Sequence, residues 1–189
     1  MKKHILLLAL LTGLSACNDD FLEKLPQTSI SPEAFFNNEG DLALYVNGLL
    51  SLPDMYGIYL NDQSTDNAAT TGAVEMKVIM TGSPSAQTIT GGWDWGRLRN
   101  INYFLDNYNK VNATSEVKAH YAGLARYYRA QFYLGKVGRY SDVPWFSKTV
   151  NPGDEELYKT QDSRAVVMDS VMADLAFAAA HVRESVPGG

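Results

Sequence analysis

Cysteine and histidine are scarce in this sequence of 189 residues. Cys17 is the single cysteine, so no disulfide can form within the chain and the fold must depend on packing. After residue 16 the histidines are His120 and His181, which stand neither beside a cysteine nor in a metal-ligand pair such as i and i+4. On this basis we predict no metal site and no cysteine-based catalysis.

Long apolar runs are also missing. A transmembrane helix needs roughly 20 apolar residues, and the most apolar segment, residues 5–11, ends at Thr12 and Gly13. That segment follows two lysines at the start of the chain and precedes small residues, which is the pattern of a cleaved signal peptide. We therefore predict that residues 1–16 form a signal peptide and that no later segment spans a membrane.

Positive charge is in short supply as well. The formal net charge of the chain is −5, and it becomes −7 after residue 16 because the predicted signal peptide holds Lys2 and Lys3 and no acid. No cluster of lysine and arginine offsets this balance. Nucleic-acid binding requires such a cluster, and anionic lipid head groups would repel the chain. We therefore predict that nucleic acid is not a partner.

Motifs of several enzyme classes are absent from the sequence. There is no G-x-S-x-G nucleophile elbow and no phosphate-binding G-x-x-x-x-G-K segment. A carboxylate pair for glycoside hydrolysis is defined by its spatial separation, so sequence spacing leaves it open. We expect a protein without catalytic activity and without a cofactor, and a surface hydrolase stays as an alternative.

The predicted signal peptide ends in a recognisable sequence. Leu14, Ser15 and Ala16 lead directly into Cys17. This LSAC sequence resembles the lipobox of bacterial lipoproteins, where small residues precede the cleavage site and the cysteine thiol receives a diacylglycerol. The resemblance implies lipid on Cys17, and several acyl chains hold firmly at about 0.8 kcal/mol per buried methylene. The alternative is a buried structural cysteine, which the lack of a partner cysteine disfavours.

Apolar residues recur at helical spacing in four later segments, which predicts a mostly α fold. Thr114 is the predicted N-cap of the third helix, and Asp162 or Ser163 that of the fourth. The third helix is rich in alanine, so we expect close, antiparallel packing on the second helix. The predicted helices cover residues 39–52, 93–110, 114–138 and 162–187, and the stripe on the third consists of Val117, Tyr121, Leu124, Tyr128 and Phe132.

Two polar segments, residues 54–92 and 140–161, are predicted loops. The first is dense in Asn, Asp, Ser, Thr and Gly and shows no periodicity. So long a loop inside a domain is usually functional or poorly ordered. We therefore expect it to be the first place to look for a ligand.

Four stretches, read together, resemble the N-terminal part of the SusD/RagB family of outer-membrane nutrient-binding lipoproteins. Their order and spacing after a lipobox make the resemblance more specific than any one of them alone. The stretches are CNDDFLEKLPQTSISPEAFFNNEGDLALYVNGLL from Cys17, WDWGRLRNINYFLDNYNK from Trp93, GLARYYRAQFYLGKVGRYSDVPWF from Gly123 and SRAVVMDSVMADLAFAAA from Ser163.

The resemblance implies a fold of helical hairpins on a tetratricopeptide-like scaffold with long loops. It implies residues 1–16 as signal peptide, 17–30 as lipidated tether, and 31–189 as the N-terminal part of a helical domain whose C-terminal part is absent. The expected protein is anchored by lipid to the outer membrane, faces the cell exterior, and captures oligosaccharide for a TonB-dependent transporter of the SusC type. The alternatives are a helical docking partner of the transporter without glycan contact, or a non-functional fragment.

Trp93 and Trp95 are the candidate sugar-binding aromatics. A sugar is bound by a flat aromatic face against its C–H side and by polar groups on its hydroxyls. Residues two apart on a helix face different directions, so Trp95 is predicted to point inward with Leu98 and Trp93 outward. The alternative, that both tryptophans belong to the core, stays open.

Polar side chains in the preceding loop are candidate hydrogen-bond partners of the same ligand. They are Asp62, Asp66 and Asn67, for which the ordinary alternative is a solvated loop or an Asx-turn. A second group interleaves aromatic and basic residues on the third helix, and we interpret it as packing with snorkelling charges. Its members are Arg126, Tyr127, Tyr128 and Arg129.

Overall fold

The part of the chain that is described in the computed structural model is helical. It comprises residues 35–51, 55–62, 65, 82, 85, 87–88 and 91–184. The chain divides after Phe35, and the helices of the described part lie in the unit Phe36–Gly189. They are α1 (Glu39–Leu49), α2 (Met55–Asp62), α3 (Gly96–Asn107), α4 (Ser115–Tyr140) and α5 (Arg164–His181), with 3-10 turns at Tyr108–Lys110 and Glu155–Tyr158.

The prediction of a mostly α fold is confirmed. Four of the helices, α1, α3, α4 and α5, match the four predicted ones, with ends that differ by a few residues. The prediction that residues 54–92 form one loop is wrong at α2. This helix has only eight residues, contains Gly57, and leaves Met55, Tyr56 and Tyr59 exposed, so it carries no apolar stripe of helical period.

Polar side chains at the helix starts fix three of these helices. The Thr114 hydroxyl accepts a hydrogen bond from the Val117 N–H at 3.3 Å, as predicted. Ser163, one of the two predicted caps, fills the same position before α5. At α1 a capping box satisfies two otherwise unpaired N–H groups, because Asn38 and Asp41 each accept from the other's backbone.

Successive helices pack antiparallel around α4. Lys136 reaches Asp94, while Arg129, nearer the start of α4, reaches Asn102 further along α3, so these two helices run in opposite directions. The predicted antiparallel packing of α4 on α3 is therefore confirmed. The more extensive partner of α4 is α5. A Cβ at Gly123 would lie 2.9 Å from the Val182 side chain, so only glycine fits this crossing without a shift of its neighbour.

The core lies between α3, α4, α5 and the loop of residues 141–163 that joins α4 to α5, which we call the connecting loop. The stripe predicted on α4 is incomplete, because the helix is covered by several neighbours and buries a second face. That face includes Ala130, Tyr133 and Val137. The other buried residues of the core are Leu98, Val143, Phe146, Val167 and Val171.

A separate group of aromatic rings fixes α1 against α3. The Phe36 ring lies 6.0 Å from the Phe104 ring, and the Tyr45 ring lies 5.5 Å from it. The Tyr45 hydroxyl donates to the Asn100 carbonyl oxygen at 3.1 Å. Burial, with a smaller contribution from Tyr103, raises the pKa of Tyr45 to about 12. These contacts hold α3, whose first turn forms part of the site described below.

Several predicted features lie outside the described residues. They are the signal peptide (residues 1–16, with Leu14, Ser15 and Ala16), the tether (residues 17–30, with Cys17), and the loop residues Asp66 and Asn67. Among the helices that are described, none has the length and apolar character needed to cross a bilayer.

Candidate functional site

A cleft of about 1010 Å³ lies at the start of α3 beside the connecting loop. Sites for small organic ligands in proteins commonly measure about 300–1,000 Å³, so this cleft is at the upper end of that range. Trp93 and Trp95 line it from the α3 side, and Phe146, Val150 and Leu157 line it from the connecting loop. Polar side chains from both segments complete the lining.

The residues that precede α3 are held by the last two turns of α4. The ammonium group of Lys136 donates hydrogen bonds to the carbonyl oxygens of Gly92 and Asp94, the second at 2.6 Å. The Tyr140 hydroxyl donates to the Gly91 carbonyl oxygen at 2.5 Å. Three carbonyl oxygens of this short segment are therefore fixed, and the two tryptophans are fixed with them.

Lys136 is also surrounded by aromatic rings. Only 7% of its surface is exposed, and its Nζ lies 5.0 Å from the ring centroids of both Trp95 and Phe132 and 6.0 Å from that of Trp93. Burial lowers the pKa of this ammonium group, and the negative charge of Asp94 acts in the opposite direction. Lys136 thus connects the backbone of the segment with the rings that it presents.

The two tryptophans have different environments. Trp95 is half-buried, with its ring 5.6 Å from Phe132 and 5.7 Å from Phe146. Trp93 is 44% exposed, and its ring meets those of Trp95 and Tyr140 edge to face at 5.1 and 4.8 Å. The predicted orientation, with Trp95 inward and Trp93 outward, is confirmed. Trp93 therefore presents free aromatic surface beside the cleft.

Gly92 makes this arrangement possible. Its φ of +87° lies in the region that residues with a Cβ rarely adopt. A Cβ at this position would also lie 2.9 Å from Arg139 Nε and 3.0 Å from the Tyr140 hydroxyl. The backbone can turn into Trp93 close to α4 because Gly92 has no side chain.

Buried Asn102 holds the part of the connecting loop that lines the cleft. Its Nδ2 donates to the carbonyl oxygens of Phe146 and Lys148, both at 2.9 Å. Its Oδ1 accepts from Arg129 at 3.2 Å. All of the polar atoms of this amide are thereby engaged, which is what a side chain with 1% exposure requires.

Arg129 and Asp174 form a buried ion pair behind Asn102. Two parallel hydrogen bonds join them, from Nε to Oδ2 at 2.6 Å and from NH2 to Oδ1 at 2.8 Å, and NH1 reaches the Ser147 carbonyl oxygen at 3.0 Å. The interpretation of the Arg129 charge as snorkelling is wrong, because this side chain is buried. It holds for Arg126, which is half-exposed and lies 4.0 Å above the Phe177 ring.

The hydroxyl of Tyr133 bridges two backbone groups of the connecting loop. It accepts from the Phe146 N–H at 2.7 Å and donates to the Pro144 carbonyl oxygen at 3.3 Å. Burial of this fully enclosed side chain raises the pKa of its phenol. The hydroxyl therefore stays protonated and keeps both bonds at neutral pH.

A second set of polar contacts fixes the part of the connecting loop that precedes α5. Lys159 donates to the Trp145 carbonyl oxygen at 2.6 Å and pairs with Asp162 at 2.8 Å. Asp162 also accepts from the Trp145 N–H at 2.7 Å and forms an isolated antiparallel bridge with Val143. The hydrogen bond from Lys159, followed by that from Trp145, lowers the pKa of Asp162. Both ends of the loop are thus anchored.

Only some of the predicted site residues line this cleft. Trp93 and Trp95 line it. Asp62 does not, and its carbonyl oxygen instead accepts from the N–H and hydroxyl of Thr65 in an exposed turn. The residues that sequence reasoning missed are Asn102, Arg129, Lys136 and Asp174. The signal in the sequence is a polar residue at a position where the helical period predicts an apolar one. Asp174, which lies between Val171 and Ala178 on α5, is an example.

Comparison with known proteins places this geometry in context. The chain matches no protein-family profile. A SusD-like protein of Formosa agariphila is 25% identical over 89% of the chain, which corresponds to 36% of that relative. A solved SusD-like protein of Bacteroides fragilis covers 87% of the chain with a TM-score of 0.66 and 22% identity, and 34% of its own length is matched.

A second solved structure from Bacteroides fragilis is described as a SusD-like carbohydrate-binding protein. It covers 82% of the chain with a TM-score of 0.67, again at 22% identity and over 34% of its own length. The chain has a SusD-like fold. This fold is the tetratricopeptide-like helical arrangement that the resemblance implied. The SusD-like chain spans about a third of the length of these relatives.

Proposed function

We propose that the chain is the glycan-binding part of a cell-surface lipoprotein, and that the cleft beside Trp93 is its sugar site. The observation that carries this proposal is the exposed Trp93 ring, held by Lys136 and Tyr140 next to a cleft with polar lining. An aromatic face covers the C–H side of a sugar ring, and neighbouring amides and cations bind its hydroxyls. The proposed protein binds glycan without reacting it and uses no cofactor.

The comparisons support glycan binding in general. One of the solved relatives is described as a carbohydrate-binding protein, and its fold matches 82% of this chain over 34% of its own length. The further role, capture of oligosaccharide for a TonB-dependent transporter of the SusC type, is part of the proposal. It rests on the four sequence stretches and on the lipobox.

Replacing Trp93 tests the sugar site. We expect Trp93→Ala to weaken oligosaccharide binding by about 10-fold, because loss of an aromatic stacking face and its buried area removes roughly 1–2 kcal/mol. Isothermal titration calorimetry of the full-length protein, first screened against neutral and acidic oligosaccharides, measures the change. The matched control is Tyr127→Ala, since Tyr127 has nearly the same exposure, 42% against 44%, and does not line the cleft.

Equal affinities of the Trp93→Ala variant and the unmodified protein would assign binding to another surface. Absence of binding to every oligosaccharide, with retention of a transporter in pull-down, would instead favour a helical docking partner. The exposed apolar residues of α2, Met55 at 87% and Tyr56 at 67%, are the observation that favours this second function.

Lipid attachment is tested separately. We expect radiolabelled palmitate to be incorporated into the protein in cells and to be lost completely in Cys17→Ser, because a hydroxyl cannot form the thioether. The same variant should leave the membrane fraction, since removal of all acyl chains removes about 0.8 kcal/mol per methylene. Equal labelling of the variant would overturn the outer-membrane, lipid-anchored location that we propose.

A further inference from the structure

The lining of the cleft has an unusual charge composition for this chain. The sequence carries 21 acidic and 16 basic side chains, a net charge of −5. Arg99, Lys148 and Lys159 line the cleft, and among the described residues no aspartate or glutamate does. Groups that a ligand can touch directly are therefore cations, amides, a hydroxyl and apolar rings. The hydroxyls of a neutral sugar can be bound by uncharged groups, so three cations and no carboxylate in the lining are not explained by a neutral ligand.

The carboxylates of residues next to the cleft lining accept hydrogen bonds from backbone N–H groups. Asp106 accepts from Thr149 at 2.9 Å, and Asp154 accepts from Asn151 at 2.7 Å. On the α3 side, Asp94 Oδ1 accepts from the Gly96 N–H at 3.1 Å. These carboxylates hold the walls of the site in shape and are not part of its lining.

The three lining cations differ in how far their charge is balanced. Lys159 pairs with Asp162 at 2.8 Å. The Arg99 guanidinium donates only to neutral acceptors, the Val150 carbonyl oxygen at 2.7 Å and the Asn151 side-chain oxygen at 3.2–3.3 Å. The Lys148 ammonium group makes no hydrogen bond or ion pair within the described part of the chain. Two positive charges of the cleft are thus left without a carboxylate partner there.

Arg99 is also held in a defined geometry. Its three hydrogen bonds to Val150 and Asn151 of the connecting loop fix the guanidinium, while its Nε is not used by those bonds. A planar guanidinium with free donors suits the planar or tetrahedral oxygens of a carboxylate or sulfate group. The flexible, strongly hydrated Lys148 ammonium suits a point contact with the same anion.

We propose that the cleft takes an acidic glycan, one whose sugars carry carboxylate or sulfate groups. Trp93 stacks on a sugar ring, and Arg99 and Lys148 bind the acidic substituent. This inference rests on the proposed glycan-binding function and adds the class of ligand to it. Within a chain of net negative charge, attraction of an acidic ligand depends on this local lining, so binding is expected to weaken as salt rises.

Calorimetry on the full-length protein with matched pairs of probes tests the proposal. The first pair is an oligogalacturonate and its fully methyl-esterified form, and the second is a dextran sulfate oligosaccharide and unmodified dextran of the same length. We expect the charged member of at least one pair to bind about 10-fold more tightly, the effect of one charge-assisted hydrogen bond. The pair that shows the difference identifies carboxylate or sulfate as the group recognised.

Two variants assign the effect to the cleft. Lys148→Gln should remove most of the preference for the charged probe. Lys118→Gln is the matched control, because it makes the same charge change at the start of α4, where Lys118 donates to the Asn109 carbonyl oxygen outside the cleft. It should preserve the preference.

The possible failures can be told apart. Equal binding of charged and neutral probes, with Trp93→Ala weakening both, would overturn the acidic-ligand inference and leave glycan binding intact. Absence of binding to all four probes and to the wider oligosaccharide screen would overturn both. A charge preference that survives Lys148→Gln, or that falls equally in Lys148→Gln and Lys118→Gln, would show that the effect does not arise from Lys148 in the cleft and would also overturn the inference.

Discussion

Asp174→Ala is expected to lower the free energy of unfolding by about 3–5 kcal/mol, the cost of leaving one member of a buried ion pair without its partner. Arg129, at 6% exposure, would be left with neutral partners, namely the Asn102 amide, the Ser147 carbonyl oxygen and the Trp145 ring. Urea denaturation followed by circular dichroism measures the loss.

Two further variants separate the ion pair from general effects on α5. Asp169→Ala removes the same carboxylate from an exposed position of the same helix, so it should change stability by less than about 0.5 kcal/mol. Asp174→Asn keeps the shape and an acceptor oxygen but removes the charge, so its cost should fall between the other two. Equal stabilities of Asp174→Ala and Asp169→Ala would show that the pair contributes nothing to the fold.

Lys136→Met is expected to disorder the segment that presents Trp93 and to abolish most sugar binding. Methionine matches the volume of the lysine stem but cannot donate to the carbonyl oxygens of Gly92 and Asp94. Each lost charge-assisted hydrogen bond removes about 1.5–3 kcal/mol, part of which returns because exposed carbonyl oxygens can bind water. Both tryptophans lose their fixed position, so the affinity should fall by at least as much as in Trp93→Ala.

Tryptophan spectroscopy distinguishes this positioning role from simple loss of stability. Trp93 and Trp95 lie edge to face at 5.1 Å, so their near-ultraviolet circular dichroism depends on a fixed mutual geometry. Lys136→Met should reduce that signal in the folded protein, below the onset of urea unfolding. Lys118→Met, the control at the other end of α4, should keep both the signal and the affinity. An unchanged spectrum and affinity in Lys136→Met would contradict the assigned role.

The helices could be predicted where burial follows a single face. In α5, Val167, Val171 and Ala178 follow one another at helical spacing and are buried on one face. The second buried face of α4 could not be read in the same way, because a helix covered by several neighbours loses its amphipathic contrast. The reason differs for α2, which has only eight residues and carries apolar side chains on several sides, so no helical period is recognisable.

The candidate site was predictable at its aromatic end only. Trp93 and Trp95 stand out because large aromatics at a loop-helix junction are unusual and their spacing fixes their directions. Asn102, Arg129 and Asp174 interact over 27 and 45 positions of sequence, so no local pattern links them. Asp62 was a candidate from composition alone, and its bonds with Thr65 use the backbone carbonyl oxygen at the end of α2, so they do not depend on the aspartate side chain.

The course of α4 has a consequence for how the site can change. Arg129 supports the connecting loop and Lys136 supports the tryptophan segment, and seven residues separate them on one continuous helix. At 1.5 Å of rise per residue this spacing is about 10 Å. The width of the cleft is therefore set by a rigid helix, and ligands must match that width. Ligand selectivity would then change through substitution of residues at the rim of the cleft, while α4 keeps its geometry.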